Sequence, residues 1–146
     1  MGNEKTKSDK RGIMLYSAWF VSLIATLGSL YFSEIKGFIP CDLCWYQRIA
    51  MYPLVLILGI ATFQNDLKVP KYVLPLSLLG GIISFLHYLE QKVPGFGGIK
   101  PCVSGVPCSS EYINWMGFVT IPFLALIAFV LISVTMLILA VKNKKN

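Results

Sequence analysis

Residues 117–141 read GFVTIPFLALIAFVLISVTMLILAV, an apolar run without a single Asp, Glu, Lys, Arg or His. As an α-helix rising about 1.5 Å per residue it can cross roughly 30 Å of hydrocarbon, and its lack of a polar face suits lipid better than water. The pattern recurs towards the N-terminus, at about residues 13–33, 45–63 and 72–89. A single core in a chain of 146 residues cannot hide four runs of that length. Composition agrees: 14% of the residues are charged, against about 25% in soluble domains. We expect one all-α integral membrane domain over residues 1–146, a four-transmembrane-helix bundle. The first run follows a basic tail, as in a secretory signal. It exceeds the usual apolar stretch of about 7 to 15 residues and ends in Tyr31-Phe32-Ser33-Glu34 with no small-residue cleavage pattern, so a retained span is expected.

Lys and Arg set the expected orientation, because cytoplasmic loops are enriched in them. With the N-terminus inside, the inner side holds Lys5, Lys7, Lys10, Arg11, Lys68, Lys71, Lys142, Lys144 and Lys145, and the outer loops hold only Lys36, Lys92 and Lys100. Both termini are therefore expected in the cytoplasm, with extracytoplasmic loops at residues 34–44 and 90–116. The net charge of +6 lies in tails and short loops rather than on one face, which argues for membrane topology and against a nucleic-acid partner. All the cysteines fall in the outer loops: Cys41 and Cys44 in the first, Cys102 and Cys108 in the second. Cysteine played no part in assigning the loops, so their collection on the oxidising face independently supports thiol or disulfide chemistry. The second loop is rich in Gly and Pro, and residues 109–116 are expected to form a short interfacial helix leading into the last span.

Cys41-Asp42-Leu43-Cys44 is a C-x-x-C motif where a loop enters a helix. Partial positive charge at a helix N-terminus stabilises a thiolate, the species active in disulfide exchange. Cys44 looks the better placed of the two, because Arg48 follows four residues later on the same helix face. Arg48 itself stands about one turn inside an apolar span, where an ionisable group suggests function, although an arginine there can also snorkel to the headgroups. Two further readings of the cysteines remain. Metal ligation is disfavoured because Cys102 and Cys108 are spaced C-x5-C in another loop and the sole histidine, His87, lies elsewhere in the sequence. Stapling of the outer loops is possible, but a disulfide enclosing two residues removes little chain entropy. His87 comes late in the third span, near the same outer face. Trp45, Tyr46, Tyr88 and Trp115 read as an interfacial belt.

Taken together, the stretch Pro40 to Arg48 (PCDLCWYQR), the pair Cys102/Cys108, and Trp115-Met116-Gly117-Phe118 followed by Ile121-Pro122 resemble the DsbB family of disulfide-bond formation proteins, in particular its short BdbC-type branch. The resemblance implies a multi-pass protein of a prokaryotic cell membrane that reoxidises an extracytoplasmic thioredoxin-like thiol:disulfide oxidase and passes electrons to a quinone, menaquinone or ubiquinone. On matching positions it implies that Cys102 takes attack from the partner's thiolate. Cys108 then reduces the Cys41–Cys44 disulfide through Cys41, and Cys44 faces the quinone with Arg48 polarising a quinone oxygen. With a quinone so placed, His87 could bind or protonate a quinone carbonyl. A partner of this type is strongly oxidising, at about −120 mV, beyond the reach of glutathione. The glycines near Gly95 follow no strand and open no helix, so they give no nucleotide-binding fingerprint. Vitamin K epoxide reductase-like proteins share the four-helix, two-pair plan, but there the loop pair precedes C-x-x-C, whereas here it follows.

Overall fold

The computed structural model describes residues 2–93 and 116–145, with side chains from residue 8 onward. Cys102, Cys108 and all but the last residue of the expected interfacial helix lie outside the described residues. Among the described residues four helices make up the fold: α1 (Gly2–Leu30), running on into a π-helical turn at Tyr31–Ile35, α2 (Asp42–Gln64), α3 (Pro70–Lys92) and α4 (Ile121–Lys144). Each contains a span long and apolar enough to cross a membrane, and the fold is all-helical among the described residues.

The observed ends follow local chemistry. Pro40 disfavours helix in the residue before it, and Cys41 takes the extended backbone of an N-cap. Asn65 closes α2 in the left-handed conformation (φ 54°). Asp66 Oδ1 then accepts the Lys68 N–H at 2.9 Å, forming a tight turn that leads to Pro70 at the start of α3. Two expected boundaries shift. α1 begins well before residue 13, because hydropathy marks the part that suits lipid, whereas helix-forming Lys and Glu let the backbone helix continue into the polar tail. α4 begins at Ile121 rather than Gly117, because Met116 and Gly117 both have positive φ and turn the chain before Thr120 caps the helix.

Each helix packs against its sequence neighbours, and α1 closes the ring against α4. The seams repeat every three and four residues, as left-handed bundles require. On α4 the buried positions include Phe129, Ile132, Met136 and Leu139, and on α3 they are Pro70, Val73, Ser77, Gly80, Ser84 and His87. The α3 seam is mostly small, which lets helix backbones approach where lipid supplies no hydrophobic drive for association. Phe129 fills the space over Gly80, where any added Cβ would overlap its ring, and Ser77 Oγ lies 2.9 Å from Ser133 Oγ. Outside the seams the surface is apolar: Phe63 is 82% exposed and Leu56 69%. A surface of that kind suits the hydrocarbon of a bilayer.

The helix ends sort into two groups. Asn143 donates to the Leu67 carbonyl and Lys142 Nζ reaches Met14 Sδ, gathering the α2–α3 turn, the end of α4 and the first part of α1. At the opposite end, Lys92 donates to the Gly117 carbonyl at 2.9 Å, tying the end of α3 to the approach to α4. The C-x-x-C belongs to this second end.

Candidate active site

The α2 seam runs through Leu43, Gln47, Ala50, Leu54, Leu58 and Ala61, and the α3 seam ends at His87. Because α2 and α3 pack seam to seam, Gln47 and His87 meet inside the bundle just below the N-terminus of α2. Gln47 Nε2 is 2.9 Å from His87 Nδ1, and His87 Nε2 is 3.6 Å from Cys41 Sγ. The histidine is 1% exposed. Cys41 and Cys44 are both free thiols with their sulfurs 3.3 Å apart, close enough for a small side-chain rotation to join them. The sequence separation that counted against His87 as a neighbour of the cysteines therefore disappears in space: the two sulfurs and the imidazole nitrogen lie within 4.8 Å of one another.

Electrostatics single out Cys41. The hydrogen bond with Cys44, followed by the hydrogen bond and positive charge of His87, outweighs burial and lowers its pKa from 9.0 to about 4. Cys41 also caps the helix, where the peptide dipoles favour an anion. The sequence reading gave the thiolate advantage to Cys44 through Arg48. In the structure the groups assembled to hold a thiolate surround Cys41.

Arg48 does not snorkel. Its Nε donates to Ser29 Oγ at 3.0 Å and its Nη2 to the Ser29 carbonyl at 3.2 Å, while the guanidinium lies over the Trp45 ring, 5.5 Å from its centroid. Arg48 and Cys44 share a cleft of about 440 Å³ between α1, α2 and α4, whose walls include Ile24, Phe32, Met51, Tyr52 and Leu124. Arg48 is the one cation among the described lining residues. His87, considered as a group facing a quinone, stands with Cys41 and does not line this cleft. Trp45 and Tyr46 are about half exposed, as belt residues are. Two polar residues of the site escaped the sequence reading. Gln47 had a signal, being a polar side chain in register with the apolar seam of α2. Ser29 had none, because only the pairing of α1 with α2 reveals it.

The chain matches the family described as "Disulfide bond formation protein DsbB" over residues 11–139. It is 73% identical over 136 residues to "Disulfide bond formation protein C" of Bacillus subtilis, covering 93% of this chain and 97% of that relative. It is 55% identical over 144 residues to "Probable disulfide formation protein C 1" of Bacillus anthracis, covering 99% and 100%. Identity to "Probable disulfide formation protein" of Coxiella burnetii is 50% over 121 residues, covering 82% of each chain. No solved structure gives a significant match.

Proposed function

The chain belongs to the DsbB family of disulfide bond formation proteins, and from that premise we propose that this multi-pass membrane thiol oxidoreductase passes electrons from a thioredoxin-like dithiol oxidase to a quinone. Overall, the partner's dithiol loses two electrons and two protons and becomes a disulfide, and the quinone gains them and becomes a quinol. The observation that carries the reading is the shared cleft. Cys44 and Arg48 open onto an apolar space beside the membrane span, which fits a lipid-soluble ring bearing carbonyl oxygens.

In this reading the paired sulfurs have separate tasks. Cys41, backed by His87, is the good leaving group in exchange with the second cysteine pair, since a low thiol pKa speeds departure. Cys44 delivers the electron pair into the cleft. Arg48, held by Ser29, keeps a fixed positive charge where negative charge develops on the acceptor oxygen, so no reorganisation is needed at the moment of reaction. Cys102 accepts the partner's thiolate, and Cys108, so freed, attacks Cys41 and expels Cys44 as a thiolate. Cys102, released as the partner's second thiol closes its own disulfide, attacks Cys108, re-forms Cys102–Cys108 and expels Cys41. The excess of Lys and Arg at the other end of the bundle supports an orientation with both termini in the cytoplasm and the four cysteines outside.

The test is reconstitution of the full chain in lipid nanodiscs with a defined quinone and a reduced thioredoxin-like oxidase, following quinone absorbance. Quinone should be consumed only when all three components are present, and Cys44→Ser should stop it. Partner oxidation that proceeds at full rate without quinone would overturn the reading.

A further inference from the structure

The C-x-x-C and His87 form a donor set that disulfide exchange alone does not account for. Two sulfurs and one imidazole nitrogen come from two different helices and lie within 4.8 Å of one another. We propose that, in the reduced state, Cys41, Cys44 and His87 bind a borderline-soft d10 cation, Zn2+ in the first instance, and that the bound ion withholds the dithiol from oxidation. The site stands on side-chain geometry and does not depend on which oxidant the protein uses.

Tetrahedral zinc with bonds of about 2.3 Å to sulfur and about 2.0 Å to nitrogen places its sulfurs roughly 3.8 Å apart and each sulfur roughly 3.5 Å from the nitrogen. The structure has 3.3 Å between the sulfurs and 3.6 Å from Cys41 Sγ to His87 Nε2, so shifts of about 0.5 Å or less suffice for these two pairs, and Cys44 Sγ, within 4.8 Å of the imidazole, closes on it by at most about 1.3 Å. Charge fits as well. Two thiolates and a neutral imidazole around Zn2+ make an uncharged group, the form that a buried position beside the membrane tolerates best. The thiol protons leave to solvent on binding, and no electron moves, because Zn2+ has no redox chemistry here.

Gln47 supplies the outer contact such a histidine needs. A metal-bound imidazole donates its other ring N–H to an acceptor, and the Gln47 amide already sits 2.9 Å from Nδ1. With its carbonyl end turned to the ring, it accepts the Nδ1 proton and leaves the Nε2 lone pair facing the sulfurs. Oxidation abolishes the site, since a disulfide offers no thiolate, so the redox state of the motif gates binding.

The experiment is titration of reduced, purified full-length protein in detergent with Zn2+ against a chromophoric chelator, and with Co2+ to read the donor set by absorption. One equivalent should be retained, with thiolate-to-cobalt charge transfer and tetrahedral bands. The Cys102→Ser/Cys108→Ser double variant should retain it equally. Gln47→Ala should weaken binding about 10- to 100-fold, and His87→Ala should weaken it more. Retention by the oxidised protein, loss in the double variant, or a cobalt spectrum without nitrogen ligation would each overturn the proposal. So would failure to retain any equivalent. The cobalt spectrum of the unaltered chain decides the matter even if His87→Ala fails to fold.

Discussion

Cys41 Sγ and His87 Nε2 stand 3.6 Å apart across 46 residues of sequence, joined because two helix seams carry them to the same level of the bundle. The imidazole thus serves the sulfur that caps α2, on the side of the dithiol away from the apolar cleft. In the proposed function that arrangement separates two tasks of the motif, anion stabilisation at Cys41 and electron delivery at Cys44.

The first consequence concerns pH. With its pKa at about 4, Cys41 stays a thiolate throughout the neutral range. Its alkylation by iodoacetamide in reduced protein, read per residue by mass spectrometry, should be nearly flat from about pH 8 to 6, where an ordinary thiol slows about tenfold per unit. Cys44→Ala should move the onset to higher pH more than His87→Ala does, because the contact with Cys44 is the larger cause. A Cys41 rate that falls with pH like that of a free thiol would refute this assignment.

Gln47→Ala removes the amide that orients the imidazole. We expect Cys41 alkylation near pH 4, where the thiolate titrates, to slow by about two- to three-fold, with the helical circular dichroism unchanged. Gln47→Glu should restore the contact to Nδ1 and with it most of the rate.

Arg48→Ala should slow quinone reduction about 10²- to 10³-fold, the usual effect of removing a preorganised donor. Exchange with the partner dithiol, measured separately by stopped flow, should change little. Ser29→Ala leaves the backbone carbonyl contact in place and should have a smaller effect. Equal loss in both half-reactions would remove Arg48 from the acceptor side.

Gly80→Ala tests the packing that delivers His87. The added Cβ overlaps the Phe129 ring, so overpacking should cost about 1–3 kcal/mol in unfolding from detergent. Phe129→Leu, added to Gly80→Ala, should recover part of that loss. Full stability of Gly80→Ala alone would contradict the α3–α4 seam.

Cys41→Ser and Cys44→Ser should each abolish partner reoxidation while leaving membrane insertion intact, because neither alters the hydropathy of α2 enough to matter. Fractionation and thiol trapping with an impermeant reagent check both points, and labelling of the cysteines only from the cytoplasmic side would refute the proposed orientation.

The four spans could be read from the sequence because the signal for crossing a bilayer is long and redundant; loss of any one apolar residue would leave the run at 117–141 intact. Helix ends were less legible. They depend on single residues such as Asn65 and the Met116–Gly117 pair, whose backbone conformation hydropathy does not record. At the site, C-x-x-C and Arg48 stood out because local spacing carries their chemistry. The partners of His87 and Arg48 did not, since Gln47–His87 and Arg48–Ser29 are contacts between helices and depend on which seams face each other. Placing His87 with Cys41 required the register of α3 against α2, which no local motif records.

The chain contains one histidine, and that ring lies 3.6 Å from the Cys41 sulfur. Nuclear magnetic resonance of ring-labelled protein would therefore show one imidazole spin system, identified without mutagenesis. Its nitrogen shifts would follow tautomer and ligation as the neighbouring sulfur changes state, giving a built-in reporter of turnover inside an intact lipid particle.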